Sequence, residues 1–577
     1  MAAVASELLV PVHRLVEEQA RLAPDALAAS RGDDSLTYAE LDAWANELAA
    51  VLAAQGVGIE TRVAFLMERS LELLAAFLAT YKLGAAGILL DPAWPHERVA
   101  RCLAAADPLV TLTGADVPRD GRAAPPDVDV HLDTLAYLVQ TSGSTGTPKS
   151  VGVTSRSVAH CVATHRQGYR IHAGDRSSWV APPGSSAAVG ELWPFLASGA
   201  SVHVAEPEVV ASPAELQEWL LRAQITKTYV GMPLAELLYL REWPREAALE
   251  LMVVGSDSVR TWPPAELPFE VAVSYGSAEA NGVCTCLVPW SDRLTSATAG
   301  ERERGRRPPI GRPWPDVEAL VLDERLEAVP PSELGELYVS SCELARGYVD
   351  DPRLTAERFL PHPGGRLYKT GDLVCRREDG LLEHRGRVDD QVKIRGQRVE
   401  PAEVEAVLLA HSAVESVVVV ARGDPAGERR LVAYYVSGRP APPAELRAFA
   451  AERLPDYMVP RVYTVLPELP LSANRKVDRA ALPEPDWERD DVAPAGAPGD
   501  GLEAELRALW AEIVGGPEPA PDVHLLREAG GDSLAAGRLV GAVRDRYGVR
   551  LRLRDFLREP TPAALARQTR QLRRQQA

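Results

Sequence analysis

Positive charge is in short supply in this chain, and lysine more so. Lys and Arg together number 63 against 81 Asp and Glu, a formal net charge of −18 over 577 residues. A protein that tracks nucleic-acid phosphates carries the opposite balance, so that class is excluded. Only six residues are Lys (Lys82, Lys149, Lys227, Lys369, Lys393 and Lys476), while 57 are Arg. Arg dominance in an Ala-rich chain fits a GC-rich coding sequence. Each remaining Lys is then a candidate for work that a planar guanidinium does poorly. Cysteine is also sparse, with six scattered residues (102, 161, 284, 286, 342 and 375). Only Cys284-Thr-Cys286 is close-set, and no second Cys/His pair completes a zinc pattern. Reduced thiols in a cytoplasmic protein are expected. The first residues lack the basic and apolar runs of a signal peptide. The most apolar stretch, Leu71 to Leu90, is broken by Glu72, Lys82 and Gly84, which argues against a membrane span. No internal repeat is visible.

What is present is an ordinary globular composition, 46% apolar and 25% charged, with length for several domains. Helical and strand-like periods alternate: a helix is expected at Leu41 to Ala54, a strand at Arg62 to Met67 and a helix at Leu71 to Lys82. The fold class is therefore multidomain α/β. A core over residues 1–387 is expected, then a smaller α+β unit over 388–482 with strands at Ser416 to Ala421 and Leu431 to Val436. Residues 483–500 are rich in Pro, Gly, Ala and Asp and fit a linker. Residues 501–577 form a small helical domain, with helices expected at Leu502 to Val514, Ser533 to Tyr547 and Pro562 to Leu572. The basic segment Arg567 to Arg574 fits a solvated helix end.

The strongest local signal is Thr141-Ser-Gly-Ser-Thr-Gly-Thr-Pro-Lys149 behind the apolar strand Leu135 to Val139. Small residues let the backbone approach an anion, the hydroxyls add donors, and Lys149 adds a point charge. It is not a Walker A loop, because Pro148 stands where that motif has Gly.

This loop resembles the signature of the adenylate-forming superfamily. Further motifs follow in order: Leu36-Thr-Tyr-Ala-Glu-Leu41, Tyr275-Gly-Ser-Ala-Glu279, Ile310-Gly-Arg-Pro313, Ala345-Arg-Gly-Tyr348 and Tyr368-Lys-Thr-Gly-Asp-Leu373. Gly386 to Glu400, Leu454 to Pro460 and Asn474 to Arg479 complete the set. The version resembles nonribosomal peptide synthetase adenylation domains more than acyl-CoA synthetases. The resemblance implies a large N-terminal core, a small C-terminal subdomain and a four-helix peptidyl carrier domain. It implies ATP, Mg²⁺ and 4′-phosphopantetheine as cofactors. A carboxylate attacking the α-phosphorus of ATP brings two anions together, and a metal and a Lys neutralise them. By resemblance Glu279 holds Mg²⁺, and Tyr275 and Gly276 lie against adenine. Asp372 bonds the ribose hydroxyls with Arg387 beside it, and Lys476 bridges carboxylate and phosphate. Thr141, Ser142, Gly143, Ser144, Thr145, Gly146 and Lys149 cradle the phosphates. Asp389 matches the hinge of the small subdomain. Three departures stand out: Ser277-Ala278 in place of Pro-Thr, Ser150 in place of Gly, and Ser185 in place of an aromatic residue.

In this family an Asp in a segment ending Glu-x-Trp holds the substrate ammonium. Here Pro183 to Trp193 places Ser186 at that position. The other pocket positions map to Ala187, Gly190, Tyr229, Met252, Val254, Ser274, Gly282 and Val283, an uncharged lining. The expected substrate is a carboxylic acid without a standard α-ammonium group. An α-amino acid, with Asp175 or Glu191 as the charge partner, stays open.

Gly530-Gly-Asp-Ser-Leu534 resembles the carrier motif whose Ser, here Ser533, receives the phosphopantetheine arm. A hydrolase elbow does not fit, because Ala535 replaces its last Gly and no His follows His524. No His-His-x-x-x-Asp condensation motif occurs. The expected role is a loading or stand-alone unit of nonribosomal peptide or hybrid polyketide assembly; a catalytically silent, carrier-bearing scaffold stays open. Expected partners are the acid, a phosphopantetheinyl transferase, a downstream synthetase or synthase and, by analogy, an MbtH-like protein; nucleic acid and membrane are not expected.

Overall fold

The computed structural model describes residues 9–576 apart from 115–116, 119–123, 144–147, 258–261, 265, 281–306, 315, 425–428, 440, 471–476, 488–500, 515–517, 526–532, 550 and 552. Two mainly parallel sheets of seven and six strands and a five-stranded antiparallel sheet form the N-terminal part. Helices pack on the parallel sheets, so their strands are buried on both faces and read as apolar runs rather than alternations. The helix Leu71–Lys82 begins where Ser70 accepts a bond from the Leu73 amide (3.1 Å), and nearly all of it is buried. At its end the Lys82 ammonium is 1% exposed and held by Glu17 (2.8 Å) and Asp42 (2.7 Å). Lys227 is buried in the same way between Asp175 and Glu250.

The helix expected from Leu41 starts at Tyr38. Thr37 and Glu40 close a capping box there, which adds a turn that apolar periodicity does not register.

The next unit carries the strands Val414–Gly423, Arg429–Ser437 and Val462–Val465 under the helices Pro401–Leu409 and Pro443–Ala451. Both expected strands are present and longer. Ahead of them the strands Val392–Ile394 and Gln397–Val399 pair as a hairpin. Arg395 and Gly396 join them at φ 50 and 78. Positive φ at both turn residues is what a two-residue type I′ connection requires.

The last unit has four helices among its described residues: Gly501–Val514, Ser533–Tyr547, Leu553–Leu557 and Pro562–Gln576. The third is too short for periodicity to separate from a loop. Ser533–Tyr547 packs on the core, with Arg544 bonded to Glu215 at 3.1 Å. A Cβ on Gly537 would stand 2.5 Å from the Ala211 carbonyl, so only Gly allows this approach.

Arg98 and Glu403, both buried, join the core to the second unit at 2.6 Å. Losing one partner leaves a buried charge unpaired, which costs about 3–5 kcal/mol. Arg98→Met or Glu403→Met alone should release residues 401–465 from the core, read as faster hydrogen exchange. The double substitution should recover much of that loss. Additive single effects would show that the pair does not hold the units together.

Candidate functional site

A cavity of about 250 Å³ lies where the core meets the second unit. Sheet strands, the loop after Thr141 and the hairpin at 392–399 all face it. One group of its lining residues is Thr141, Ser142, Gly276, Asp372, Arg387, Lys393 and Arg398; a second is Ser185, Ser186, Ala187, Gly190, Tyr229, Ser274 and His165.

Asp372, on the long strand Gly365–Arg376, is the hub of the first group. It accepts bonds from Arg387 (2.6 Å), from the Tyr275 hydroxyl and from His384 (3.3 Å). Burial opposes its ionisation, but His384, Arg387 and Tyr275 outweigh it and hold the carboxyl far below the carboxylate range. Arg387 also grips Asp389 through two bonds, at 2.6 and 2.9 Å. Burial lowers the Lys149 ammonium from its ordinary value. Its nitrogen lies 6.0 Å from the Tyr348 ring centre.

Glu279 sits on a short 3₁₀ turn with no solvent exposure. It accepts bonds from the Tyr348 hydroxyl (2.8 Å) and from Arg398, which reaches both its oxygens at 2.8 and 3.0 Å. Burial raises its value, yet Arg398 and Tyr348 more than offset that, so the carboxyl stays ionised. Among the described residues no three His, Cys, Asp or Glu gather as a metal cage. A hard carboxylate is the kind of donor magnesium takes, so Glu279 fits that ion.

In the second group Ser186 precedes the helix Ala187–Leu196 and makes no capping bond. Gly190 leaves the cavity open down to His165; a Cβ there would stand 3.1 Å from the imidazole. Burial lowers His165 to about 4, so it is neutral at pH 7. Glu191 also faces the cavity, and burial raises its carboxyl to about 8, so it adds little charge there at pH 7. Both its oxygens are engaged, by the backbone amides of Val180 (3.0 Å) and Ala181 (2.9 Å). Asp175 is buried against Lys227 and is not part of the lining.

Two expected pocket positions are corrected. On the strand Leu251–Gly255 it is Leu251 and Val253 that face the cavity. Met252 and Val254 pack on the opposite side with Leu216 and Leu238. Successive strand residues point to opposite faces, so counting one residue off exchanges the whole set. Val253 pairs in register with Tyr229, which fixes the cavity face. Gly282, Val283, Ser144, Thr145, Gly146 and Lys476 lie outside the described residues. Ser533 opens its helix, and its side chain is also outside them.

Two of the three departures from the family pattern make local hydrogen bonds. Ser150 exchanges hydrogen bonds with Gln140 (2.9 and 3.1 Å), and Ser185 accepts from the Ala187 amide (3.2 Å). Sequence reasoning gave no role to Arg398, Lys393, Tyr348 or His165. The alternation Val392-Lys-Ile-Arg-Gly-Gln-Arg-Val399 was the available signal, a short hairpin with basic residues on a small domain.

The AMP-binding enzyme family matches residues 16–127 and 111–349. The chain belongs to this family. The AMP-binding enzyme C-terminal domain matches residues 403–476, and the phosphopantetheine attachment site domain matches residues 504–568. The chain is 38% identical to one of the linear gramicidin synthase proteins of Brevibacillus parabrevis over 98% of its length. It spans only 8% to 11% of the length of the three linear gramicidin synthase proteins it matches. An artificially fused adenylation–PCP di-domain of a nonribosomal peptide synthetase from Klebsiella oxytoca superposes with a TM-score of 0.69 at 28% identity. That match covers 79% of this chain and 94% of the other. A nonribosomal peptide synthetase protein with adenylation and PCP domains, bound to a vinylsulfonamide inhibitor, shares the fold at a TM-score of 0.77. There the identity is 23% and the coverage 98% of both chains. Among the described residues no helix is long and apolar enough to cross a membrane.

Glu191 gives the site a pH signature. Burial pushes its carboxyl from the ordinary 4.5 up to about 8, against the two amides and Arg69. A raised folded value stabilises the protein below the unfolded value and is lost as pH rises through the folded one. Glu191→Gln does not titrate. The Tm advantage of the parent over this variant should therefore shrink between pH 5 and pH 8. A constant or growing advantage would place an ionised carboxylate at this position.

Proposed function

We propose that the chain activates a carboxylic acid with ATP and loads it on its own carrier domain. A substrate carboxylate oxygen attacks the α-phosphorus, the bond to the β-phosphate bridge breaks, and an acyl-adenylate and pyrophosphate form. The observation that supports this reading is a single cavity lined both by Thr141, Ser142, Asp372 and Arg387 and by Ser186, Gly190 and Tyr229.

The roles follow from residue chemistry. Thr141, Ser142 and Gly143 with Lys149 hold phosphate oxygens; Ser144, Thr145 and Gly146 extend that loop. Asp372 is a locked acceptor for two ribose hydroxyls, and Arg387 orients it; Tyr275 and Gly276 border the base. Magnesium, held by Glu279, would supply Lewis-acid neutralisation of the phosphates. Lys476 brings a compact ammonium to the carboxylate and α-phosphate. The 4′-phosphopantetheine on Ser533 supplies the thiol that accepts the acyl group. Asp389, at the end of the core, is the hinge. The domain limits 1–387, 388–482, 483–500 and 501–577 belong to this reading, as do a cytoplasmic setting, a phosphopantetheinyl transferase, a downstream synthetase or synthase, and an MbtH-like helper.

The substrate lacks a standard α-ammonium group. Ser186 offers no charge, both Glu191 oxygens are taken by amides, and Asp175 is paired with Lys227. Burying an ammonium without its partner costs about 3–5 kcal/mol, roughly a hundredfold to a thousandfold or more in affinity. α-Keto, α-hydroxy, aryl and other simple acids fit, as does an amino acid with its nitrogen elsewhere.

Two experiments test this. After treatment with a phosphopantetheinyl transferase, intact mass should rise on Ser533, then rise again by one acyl group with ATP and a matching acid. Ser533→Ala should block both. A pantetheinylated chain that no acid in a broad library loads would favour a scaffold role instead. In an ATP–pyrophosphate exchange panel, acids without an α-amino group should lead, and Ser186→Asp should gain α-amino acids. Strong exchange with a common α-amino acid alone would overturn the substrate reading.

A further inference from the structure

His165 lines the cavity from the helix Ser155–Gly168 and is only 7% exposed. Its ring packs on Tyr169, with ring centres 4.7 Å apart, and lies 6.5 Å from the Trp314 ring. An apolar ring would pack there as well, so the two nitrogens need an account of their own. Buried polar atoms keep hydrogen-bond partners, and an unmet one is costly.

The helix Ala187–Leu196 accounts for one nitrogen. Pro194 lies inside that helix and has no N–H to offer the Gly190 carbonyl four residues before it. The imidazole supplies the missing donor: it makes a hydrogen bond with the Gly190 backbone that favours a proton on the ring. Gly190 permits this approach, since a Cβ there would stand 3.1 Å from the ring carbon Cε1. Burial outweighs that bond and keeps the ring neutral at pH 7, so the ring carries a single N–H. The carbonyl takes that N–H, and the other nitrogen is an acceptor. Cys161 Sγ lies 3.9 Å from both ring nitrogens, and a thiol is a weak donor at that range. Among the described residues the Trp314 indole N–H has no hydrogen-bond partner, so it does not serve the ring. The Tyr229 hydroxyl, also at the cavity, is engaged with Ser256.

We propose that this acceptor reads the acid: His165 is a specificity residue that accepts a hydrogen bond from a hydroxyl or N–H carried by the substrate in addition to its carboxylate. Val189, Phe195, Leu251 and Val253 line the same cavity and suit the hydrocarbon body that bears such a group. The inference rests on the substrate reading above and narrows it to acids with a further hydrogen-bond donor. A site built to bond a substrate hydroxyl rejects the analogue that lacks it, because its own buried atom is then left unmet.

The test is ATP–pyrophosphate exchange with matched acids of the benzoic, phenylacetic and hexanoic series. Each is used unsubstituted, hydroxylated at successive positions, and with fluorine in place of the hydroxyl, which keeps the size and loses the donor. The best hydroxy acid should exceed both counterparts by about tenfold in kcat/KM. His165→Phe should bring that ratio below about threefold, and His165→Gln, whose amide carbonyl still accepts, should fall between. Each ratio is taken within one preparation, so partial loss of fold cancels. Parent ratios near unity, a ratio that survives in His165→Phe, or a leading acid in the wider panel with no donor would overturn the role of His165 and leave the substrate reading standing. Exchange with α-amino acids alone, or with no acid, would strike that reading and this inference with it.

Discussion

The site turns on one electrostatic constraint: a carboxyl sealed from water either keeps a cation beside it or holds its proton. Glu279 has no exposed surface and sits where the core, the Tyr348 hydroxyl and the 392–399 hairpin converge. The same economy governs Asp372, which is fixed by Arg387, His384 and Tyr275 before any ligand arrives. Such preorganisation spares the site a reorganisation cost when a nucleotide binds. It also makes the second unit part of the site, because Arg398 and Lys393 reach the cavity from there.

Scarce lysine gains a physical meaning in this setting. Lys82 and Lys227 are each buried between two carboxylates, where a compact ammonium fits and a planar fork would not. Lys149 borders the phosphate loop, and burial lowers its value. Lys393 lines the cavity, and burial lowers its value despite Asp372 and Asp257. The composition that looked genomic at first thus leaves lysine mostly at crowded, charge-dense positions.

Linear signals carried far, and they failed for identifiable reasons. Sequence signals located the helices Leu71–Lys82 and Ser533–Tyr547 to the residue, the first helped by the Ser70 cap at its start. It missed the first turn of Tyr38–Ala54, which side-chain capping adds, and the five-residue helix Leu553–Leu557. Motif order pointed to Asp372, Arg387 and Ser186, which the fold gathers around one cavity, and to Tyr275, whose hydroxyl bonds Asp372. The pocket strand went wrong at Met252 and Val254, since alternation makes a one-residue slip a change of face. The Arg398–Glu279 contact joins residues 119 positions apart in different units, and no local pattern encodes such a pairing.

The most direct test of the proposed chemistry follows an oxygen atom. A loadable acid labelled with ¹⁸O in its carboxylate is incubated with ATP and the pantetheinylated chain, and the released nucleotide is weighed. Attack of the carboxylate on the α-phosphorus leaves one carboxylate oxygen on phosphorus when the thiol takes the acyl group. AMP carrying one ¹⁸O is the predicted product. Unlabelled AMP, or ADP with labelled phosphate, would contradict adenylate formation at this site.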